Sequence, residues 1–302
     1  MEGSGPAQPS GPGRALTSLL RFAAVLAVLA AAGTPFVPAP AGAATLEEIR
    51  QRGYMRVATE DDCPPFEYRI GAQNRDTHEP IDVEAGYDND LLAVLRRTAG
   101  FEIRQDIVPW QQILPGVAAG KYDAALSAVT IIPRFARLVN FTVPTAEATM
   151  AFIKLHDDRR IRTVKDLAGK TLGVQTGGAS ADVVQALQAD LARSGGKLGR
   201  VVEYATYAEA YEDLVGKRVD AVINHRDSLA LLVRHTAGVF DLGGQIGRRS
   251  YAAWAVQKGN RSLLEFLNAF LLEQRTNGTL RKLEVKYDLS FSDLPGRAGV
   301  NP

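Results

Sequence analysis

Short apolar runs rich in β-branched residues alternate with longer stretches of helical periodicity along most of the chain. Strands that alternate with helices are joined by crossover connections, so this pattern predicts an α/β fold with mainly parallel sheets. The predicted strands are Tyr54–Thr59, Phe101–Ile107, Tyr122–Ser127, Thr149–Leu155, Thr171–Gln175, Arg200–Tyr204, Val219–Asn224 and Tyr251–Gln257. The predicted helices are Leu46–Arg52, Asp88–Thr98, Ser180–Ser194, Tyr207–Gly216, Asp227–His235 and Asn260–Thr276.

The N-terminal segment differs in composition from the rest of the chain. Its start carries only Arg14 and Arg21 as cations, an apolar run follows over 22–32, and small residues end it at 41–43. This order is typical of a secretory signal peptide, and the apolar run is shorter than the roughly 20 residues that span a bilayer. We therefore predict a signal peptide over 1–43 and an exported protein. An uncleaved anchor or a disordered tail is the alternative.

Composition excludes several classes of function. The 302 residues include 35 Lys and Arg against 34 Asp and Glu, without a basic stripe, so nucleic acid is not an expected partner. Cys63, the only cysteine, cannot form an internal disulfide or a Cys-rich metal site. We expect neither a metal nor a cofactor, because the four histidines, His78, His156, His225 and His235, share no metal-binding spacing.

Two segments repeat one theme. The two segments are Gly120–Leu126 and Gly216–Val222. Each starts with a glycine that ends a helical pattern, and an Asp at nearly the same distance after the glycine begins an apolar run. Two lobes of similar construction would produce this repeat, and the length of the chain suits two lobes. Chance similarity between two βα units is the alternative.

Polar side chains follow four of the predicted strands. The segments are 60–66 with Glu60, 127–130 leading to Arg134, 177–180, and 224–227. Open α/β sheets bind ligands beyond the carboxyl ends of their strands, where the free amides of a helix start can also receive an anion. We therefore expect these four segments to grip a small molecule between two lobes.

An ordered set of motifs carries a family resemblance. It includes Met55-Arg-Val-Ala-Thr59 with Pro64-Pro-Phe66, Gly86-Tyr-Asp-Asn-Asp-Leu91, Thr130-Ile-Ile-Pro133, Val164-Lys-Asp-Leu-Ala-Gly-Lys-Thr-Leu-Gly-Val-Gln175 and Asn277-Gly-Thr-Leu280. From about residue 45 to 290 the chain resembles the polar amino-acid group of the bacterial extracellular solute-binding proteins, family 3, which are the receptors of ABC importers.

The resemblance implies a two-lobed periplasmic binding protein fold of type II with a two-strand hinge. Lobe 1 would comprise 44–147 plus 251–302, and lobe 2 would comprise 148–250. The implied protein is a monomeric periplasmic receptor, not an enzyme, that captures a small polar solute and delivers it to a membrane permease. Gly86, Asp88 and the Trp110 segment would be structural. The expected ligand-binding residues are Glu60, Cys63, Phe66, Ser127, Ala128, Thr130, Arg134, Phe135, Gly177, Ser180 and His225.

Some of these positions differ from the family pattern. Phe135 occupies the position of an Arg that binds the ligand carboxylate, and His225 occupies that of an Asp that binds the amino group. Either Arg134 reaches the site or the ligand is not a usual α-amino acid, and Asp227 is a possible substitute for the missing Asp. Cys63 replaces an aromatic residue, and Ala128 replaces a residue that often has a hydroxyl.

Two other functions are compatible with the sequence. Cyclohexadienyl dehydratases resemble these receptors, and Glu60 is the candidate proton donor for such an enzyme. An accessory or sensory module that binds a protein partner is the second alternative. Our interpretation is a receptor for an amino acid or an amino-acid-like metabolite.

Overall fold

The computed structural model describes residues 44–73, 80–290 and 293–299. The predicted signal peptide and His78 lie outside these residues. The strands are β1 (Tyr54–Thr59), β2 (Asp62–Cys63), β3 (Glu67–Gln73), β4 (Pro80–Ala85), β5 (Glu102–Ile107), β6 (Ala124–Thr130), β7 (Val139–Phe141), β8 (Ala146–Glu147), β9 (Met150–Leu155), β10 (Leu172–Gln175), β11 (Val201–Tyr204), β12 (Ala221–His225), β13 (Phe240–Gln245) and β14 (Tyr251–Gln257). The helices are α1 (Leu46–Arg52), α2 (Tyr87–Thr98), α3 (Trp110–Ala118), α4 (Pro133–Ala136), α5 (Ala179–Arg193), α6 (Tyr207–Val215), α7 (Arg226–His235), α8 (Arg261–Thr276) and α9 (Thr279–Lys286), and a 3₁₀ turn covers Val164–Leu167.

Two sheets define two lobes. In the first sheet the strand order is β5-β1-β6-β14-β7, with β8 also paired to β14. In the second it is β11-β10-β12-β9-β13. We call the residues around the first sheet lobe 1 and those around the second lobe 2. The α/β class and the two-lobed architecture predicted from the sequence are confirmed, whereas the exact boundaries at 147–148 and 250–251 stay a prediction.

The prediction that the sheets are mainly parallel needs a correction. Strands β5, β1 and β6 are parallel, as are β11, β10 and β12, but β14 and β9 run antiparallel to their neighbours. The reason is the path of the chain. Parallel strands end at the cleft between the lobes, so a strand that starts at the crossing must run away from the cleft. Both sheets are therefore mixed.

The repeated Asp has the same role in both lobes. Asp123 accepts a hydrogen bond from the backbone N–H of Arg56 at 2.6 Å, and its own N–H donates to the Arg56 carbonyl at 2.9 Å. Asp220 exchanges the same two bonds with Thr171, at 2.9 and 2.8 Å. Each Asp thus fixes the start of one strand to its parallel neighbour, as expected of two lobes of similar construction.

Two crossing segments join the lobes next to each other. The N–H of Ala148 donates to the Ser250 carbonyl at 2.9 Å, and the Ser250 hydroxyl donates to the Ala148 carbonyl at 2.7 Å. Arg249 forms an ion pair with Glu147 at 2.7 Å across the same segments. These bonds hold the segments as a pair, which is the two-strand hinge that the sequence predicted.

Several elements were missed from the sequence. Helix α3 was missed because it contains Pro115, a residue that removes one helical hydrogen bond and is unusual in a helix interior. The antiparallel sheet β2-β3-β4 was also missed, because β2 has only two residues and the sequences of β3 and β4 are not runs of apolar or β-branched residues. Among the described residues, no helix combines the length and apolarity needed to cross a membrane.

A buried polar contact positions the wall of the cleft in lobe 1. The Asp88 carboxylate accepts from the Trp254 indole N–H at 2.8 Å and from the backbone N–H of Ala128 at 3.0 Å. The register between β6 and β14 shifts at this point, and Ala128 has a φ of 25°. Such irregularities re-aim side chains next to functional sites. Asp88 has the structural role that was expected, because its two hydrogen bonds fix the end of β6.

Candidate functional site

A small cavity lies where strands of both lobes end. Its volume is about 20 Å³, which is room for about one water molecule. Lobe 1 and lobe 2 both contribute to its wall, and the lining residues are Glu60, Cys63, Trp110, Ala128, Thr130, Met150, Gln175, Gly178, Ala179, Tyr207 and His225. Ligand pockets usually measure about 300–1,000 Å³, so the lobes must open, or these side chains must move, to admit a solute.

Glu60 is the acidic group of this cavity. Its backbone N–H donates to the Ser127 hydroxyl at 3.3 Å, and its carboxyl group accepts from the Gln175 side chain of lobe 2 at 3.2 Å. Burial raises the pKa of Glu60 to about 8, against the lowering effect of the Gln175 bond, and the charges of Asp62 and Asp61 add to the rise. Glu60 is therefore mostly a neutral acid at pH 7.

His225 connects the lobes on the opposite side of the cavity. Its Nε2 lies 2.9 Å from the Thr130 hydroxyl oxygen, and its Nδ1 lies 3.8 Å from Cys63 Sγ. Phe66, fully buried behind the cavity, packs edge-on against the imidazole ring with centroids 5.7 Å apart. Burial lowers the pKa of His225 to about 4, so the imidazole is neutral at physiological pH.

Arg134 bridges the lobes at the rim of the cleft. Its guanidinium donates three bonds to the Asp182 carboxylate, at 2.6, 2.9 and 3.2 Å, and others to the carbonyls of Gly177 and Gly178 at 3.2 and 3.0 Å. Phe135 is buried and packs against Trp110 with ring centroids 5.9 Å apart. Neither Arg134 nor Phe135 lines the cavity. Arg134 instead forms an ion pair with Asp182 at the rim.

The start of helix α5 forms the floor of the cavity on the lobe 2 side. Gly178 and Ala179 line it, whereas Gly177 lies at the rim and Ser180 is buried beside Tyr207. The N–H of Gly178 donates to the Gln175 carbonyl at 3.0 Å, and that of Ala181 donates to the Gly178 carbonyl at 3.3 Å. The N–H groups of Ala179 and Ser180, in the first turn of α5, are the available donors for an anionic or carbonyl group.

The structure thus brings together five of the predicted residues, Glu60, Cys63, Ala128, Thr130 and His225. Ser127 contacts Glu60 from behind, and Phe66 supports His225. The other four, Arg134, Phe135, Gly177 and Ser180, lie outside the lining. Asp227 does not substitute for the missing Asp, because its carboxyl group is bound by the N–H and hydroxyl of Ser290 at 2.9 and 2.6 Å.

Sequence reasoning missed several lining residues. Trp110 was expected to be structural, but it faces the cavity from the first residue of α3. Tyr207 begins α6 after the capping residue Thr206, and its backbone N–H donates to the Asp62 carboxylate of lobe 1 at 2.5 Å. The signal that could have identified Tyr207 is its place just beyond strand β11, at the same sheet edge as Gln175.

A larger cavity of about 430 Å³ lies on the far side of Cys63 from this site. Its walls are mostly apolar and come from β2 and β3 of lobe 1 and from α6 and α7 of lobe 2. Ser228, with its hydroxyl oxygen 3.8 Å from Cys63 Sγ, belongs to its lining. The small cavity is the better site for a polar solute, because it lies at the carboxyl ends of strands from both lobes.

Comparison with known proteins agrees with this architecture. The sequence profile of the bacterial extracellular solute-binding proteins, family 3, matches residues 55–290. The chain belongs to this family.

Relatives and solved structures resemble this chain over most of their own length. The L-cystine-binding protein TcyJ of Escherichia coli is 26% identical over 267 residues, which cover 87% of this chain and 92% of the relative. An ancestral arginine-binding protein bound to arginine is 28% identical with a TM-score of 0.67, covering 78% of this chain and 98% of that one. The ancestral amino acid-binding protein AncCDT-1, a precursor of cyclohexadienyl dehydratase, shares the fold at 24% identity, with a TM-score of 0.68 over 80% of this chain and 98% of that one.

Proposed function

We propose that this protein is the solute-binding receptor of an ABC importer for an amino acid or an amino-acid-like metabolite. The observation that carries the proposal is the polar cavity between the lobes, walled by Glu60 and Thr130 on one side and by Gln175 and His225 on the other. Each of these side chains forms its hydrogen bond to a partner in the opposite lobe. A solute that replaces these two bonds would hold the lobes together.

The chemistry of the wall indicates the kind of solute. Glu60 and His225 are neutral at pH 7, and the nearby Arg134 is paired with Asp182. Lobe closure on an amino group would favour the Glu60 carboxylate, since an opposite charge within a few ångströms lowers the pKa of an acid. The start of α5 supplies N–H donors for a carboxylate or carbonyl. We therefore propose a solute with an amino group and a hydrogen-bond acceptor.

The proposal includes the cellular role. Segment 1–43 would direct the protein to the periplasm, where it would act as a monomer and deliver its solute to the permease. Lobe 1 would be 44–147 plus 251–302 and lobe 2 148–250, closing about the paired crossing segments near Ala148 and Ser250.

A thermal-shift screen with amino acids, amines and organic acids tests the proposal. A solute at 100 times its Kd stabilises the protein by about 2.7 kcal/mol, which raises Tm by roughly 5–10 °C for a chain of this size. The shift should be reduced in the Trp110→Ala variant and unchanged in His156→Gln, because His156 lies on the surface of lobe 2 beside Asp241. If saturating solutes of all three classes leave Tm unchanged, the proposed solute class is wrong.

An enzyme is the second candidate, because Glu60 is a buried neutral acid at the wall of the cavity. A carboxylic acid with a pKa near 8 can donate a proton at neutral pH, as a cyclohexadienyl dehydratase requires. Incubation with prephenate and arogenate decides between the two. Product formation that is lost in Glu60→Gln would favour the enzyme, and absence of turnover in the unmodified protein would remove it.

A further inference from the structure

The lobe 1 wall of the cleft contains a buried cluster of metal-ligand side chains. One carboxyl oxygen each from Glu60 and Glu67 and the Sγ atom of Cys63 all lie within 4.8 Å of one another. All three residues are buried, with Glu67 fully inaccessible and Cys63 only 2% exposed. Carboxylates and a thiolate are ligands that Zn²⁺ takes in proteins. The side chains of the cluster are therefore of the types that bind zinc, and the spacing of their ligand atoms is close to that of a metal site.

Glu67 supplies a second, independent observation. No hydrogen bond of normal geometry from the described residues reaches either of its carboxyl oxygens, although Asp88 and Ser127 lie close enough to shift its pKa. Both Asp88 oxygens already accept other hydrogen bonds. A buried polar group without a partner costs about 1–3 kcal/mol, and more if it is charged. A cation bound between Glu67, Glu60 and Cys63 would remove this cost.

His225 lies beside the cluster without belonging to it. Its Nδ1 lies 3.8 Å from Cys63 Sγ, but no ring nitrogen of His225 lies within 4.8 Å of all three ligand atoms of Glu60, Cys63 and Glu67. When Nε2–H donates to Thr130 at 2.9 Å, Nδ1 presents its lone pair to Cys63. The cluster thus offers three protein ligands, the number found in zinc sites that keep an open fourth position.

We infer that Glu60, Cys63 and Glu67 bind a divalent transition metal ion of the zinc type at the wall of the cleft. The ion reaches the site when the lobes open, because Glu60, Cys63 and His225 line the cavity between them. Binding removes the protons of the thiol and the carboxyl groups, so affinity rises with pH. Metal binding by these residues does not depend on the identity of the solute.

Titration of the chelator-treated protein with Zn²⁺ tests this inference. Calorimetry at pH 8 in two buffers of different ionisation enthalpy gives the stoichiometry, the affinity and the number of protons released. We expect one ion per chain with net proton release. Changes in the outer contacts of metal sites cost about 10–100-fold in affinity, so loss of a ligand in Cys63→Ser or Glu67→Gln should cost about 100-fold or more.

The control and a spectroscopic readout complete the experiment. His156→Gln removes an exposed histidine that lies beside Asp241 and should leave Zn²⁺ affinity unchanged. Co²⁺ added to the unmodified protein should give a thiolate-to-metal charge-transfer band, which decides the question even if a variant fails to fold. Failure to bind one Zn²⁺, absence of this band, or an equal loss of affinity in His156→Gln would each overturn the inference. A solute-induced Tm shift that persists with chelator present would leave the receptor function standing on its own.

Discussion

Replacement of Glu60 by Gln should make the stability of the protein less dependent on pH. Glu60 is 7% exposed and its pKa is about 8 in the folded protein, against 4.5 for the free side chain. Between these values the folded state keeps a proton that the unfolded state has lost. The stability associated with this proton is complete below pH 4.5 and is lost as pH rises through 8. A glutamine at this position has a similar shape but cannot ionise.

The size of the effect follows from the shift in pKa. One pKa unit corresponds to about 1.36 kcal/mol, so a shift of about 3.5 units is worth about 5 kcal/mol. Linkage then gives a loss of about 2–3 kcal/mol between pH 5 and pH 7 from Glu60 alone. Glu67, whose pKa is raised by burial and by the charge of Asp88, acts in the same direction. It is present in both proteins, so the difference between them reports Glu60 together with the effect of its charge on Glu67.

Urea unfolding at pH 5, 7 and 9, with a chelator present, measures this difference. The free energy of unfolding of Glu60→Gln minus that of the unmodified protein should grow by about 2–3 kcal/mol from pH 5 to pH 7, and by about 4 kcal/mol from pH 5 to pH 9. Glu102→Gln is the control, because Glu102 is exposed on lobe 1, and its effect should stay within about 0.5 kcal/mol. A difference that is the same at pH 5 and pH 9 would refute the burial of a neutral Glu60.

Three further substitutions test the cleft and its support. Arg134→Ala removes an ion pair between the lobes worth about 1 kcal/mol or less, so solute affinity should fall up to fivefold and small-angle scattering should show a more open protein; unchanged values would mean that the bridge does not favour closure. Phe66→Ala should lower the free energy of unfolding by about 3–5 kcal/mol, because the ring is fully buried against His225, and a loss below about 1 kcal/mol would contradict its packing. Gly86→Ala should cost at least about 3 kcal/mol in urea unfolding, since φ is +123° and a Cβ would lie 2.1 Å from the Phe66 carbonyl oxygen. Gly71→Ala, where a Cβ meets open space, should cost less than about 1 kcal/mol, and equal effects at both glycines would contradict the strain at Gly86.

Local patterns in the sequence were sufficient to predict the fold class and part of the site. The eight predicted strands all exist, and strand Tyr54–Thr59 has the predicted bounds, because hydrophobic periodicity is a local property of the chain. Glu60, Thr130 and His225 could be predicted to lie near each other because each follows or ends a strand, and the carboxyl ends of such strands in the two sheets face the space between the lobes. The resemblance to family 3 rested on the same local motifs.

Which side chains meet, and in which charge state, depends on the approach of the two lobes. Arg134 could be expected in the cleft from its position in the sequence, but its guanidinium is held by Asp182, 48 residues away in the other lobe. Trp110 and Tyr207 line the cavity because the lobes come together there. The place of Tyr207 just beyond β11 indicates the sheet edge, but which residues of the other lobe it meets depends on the approach of the lobes. The pKa of Glu60 depends on burial by both lobes, which is a property of the closed cleft and not of the residue.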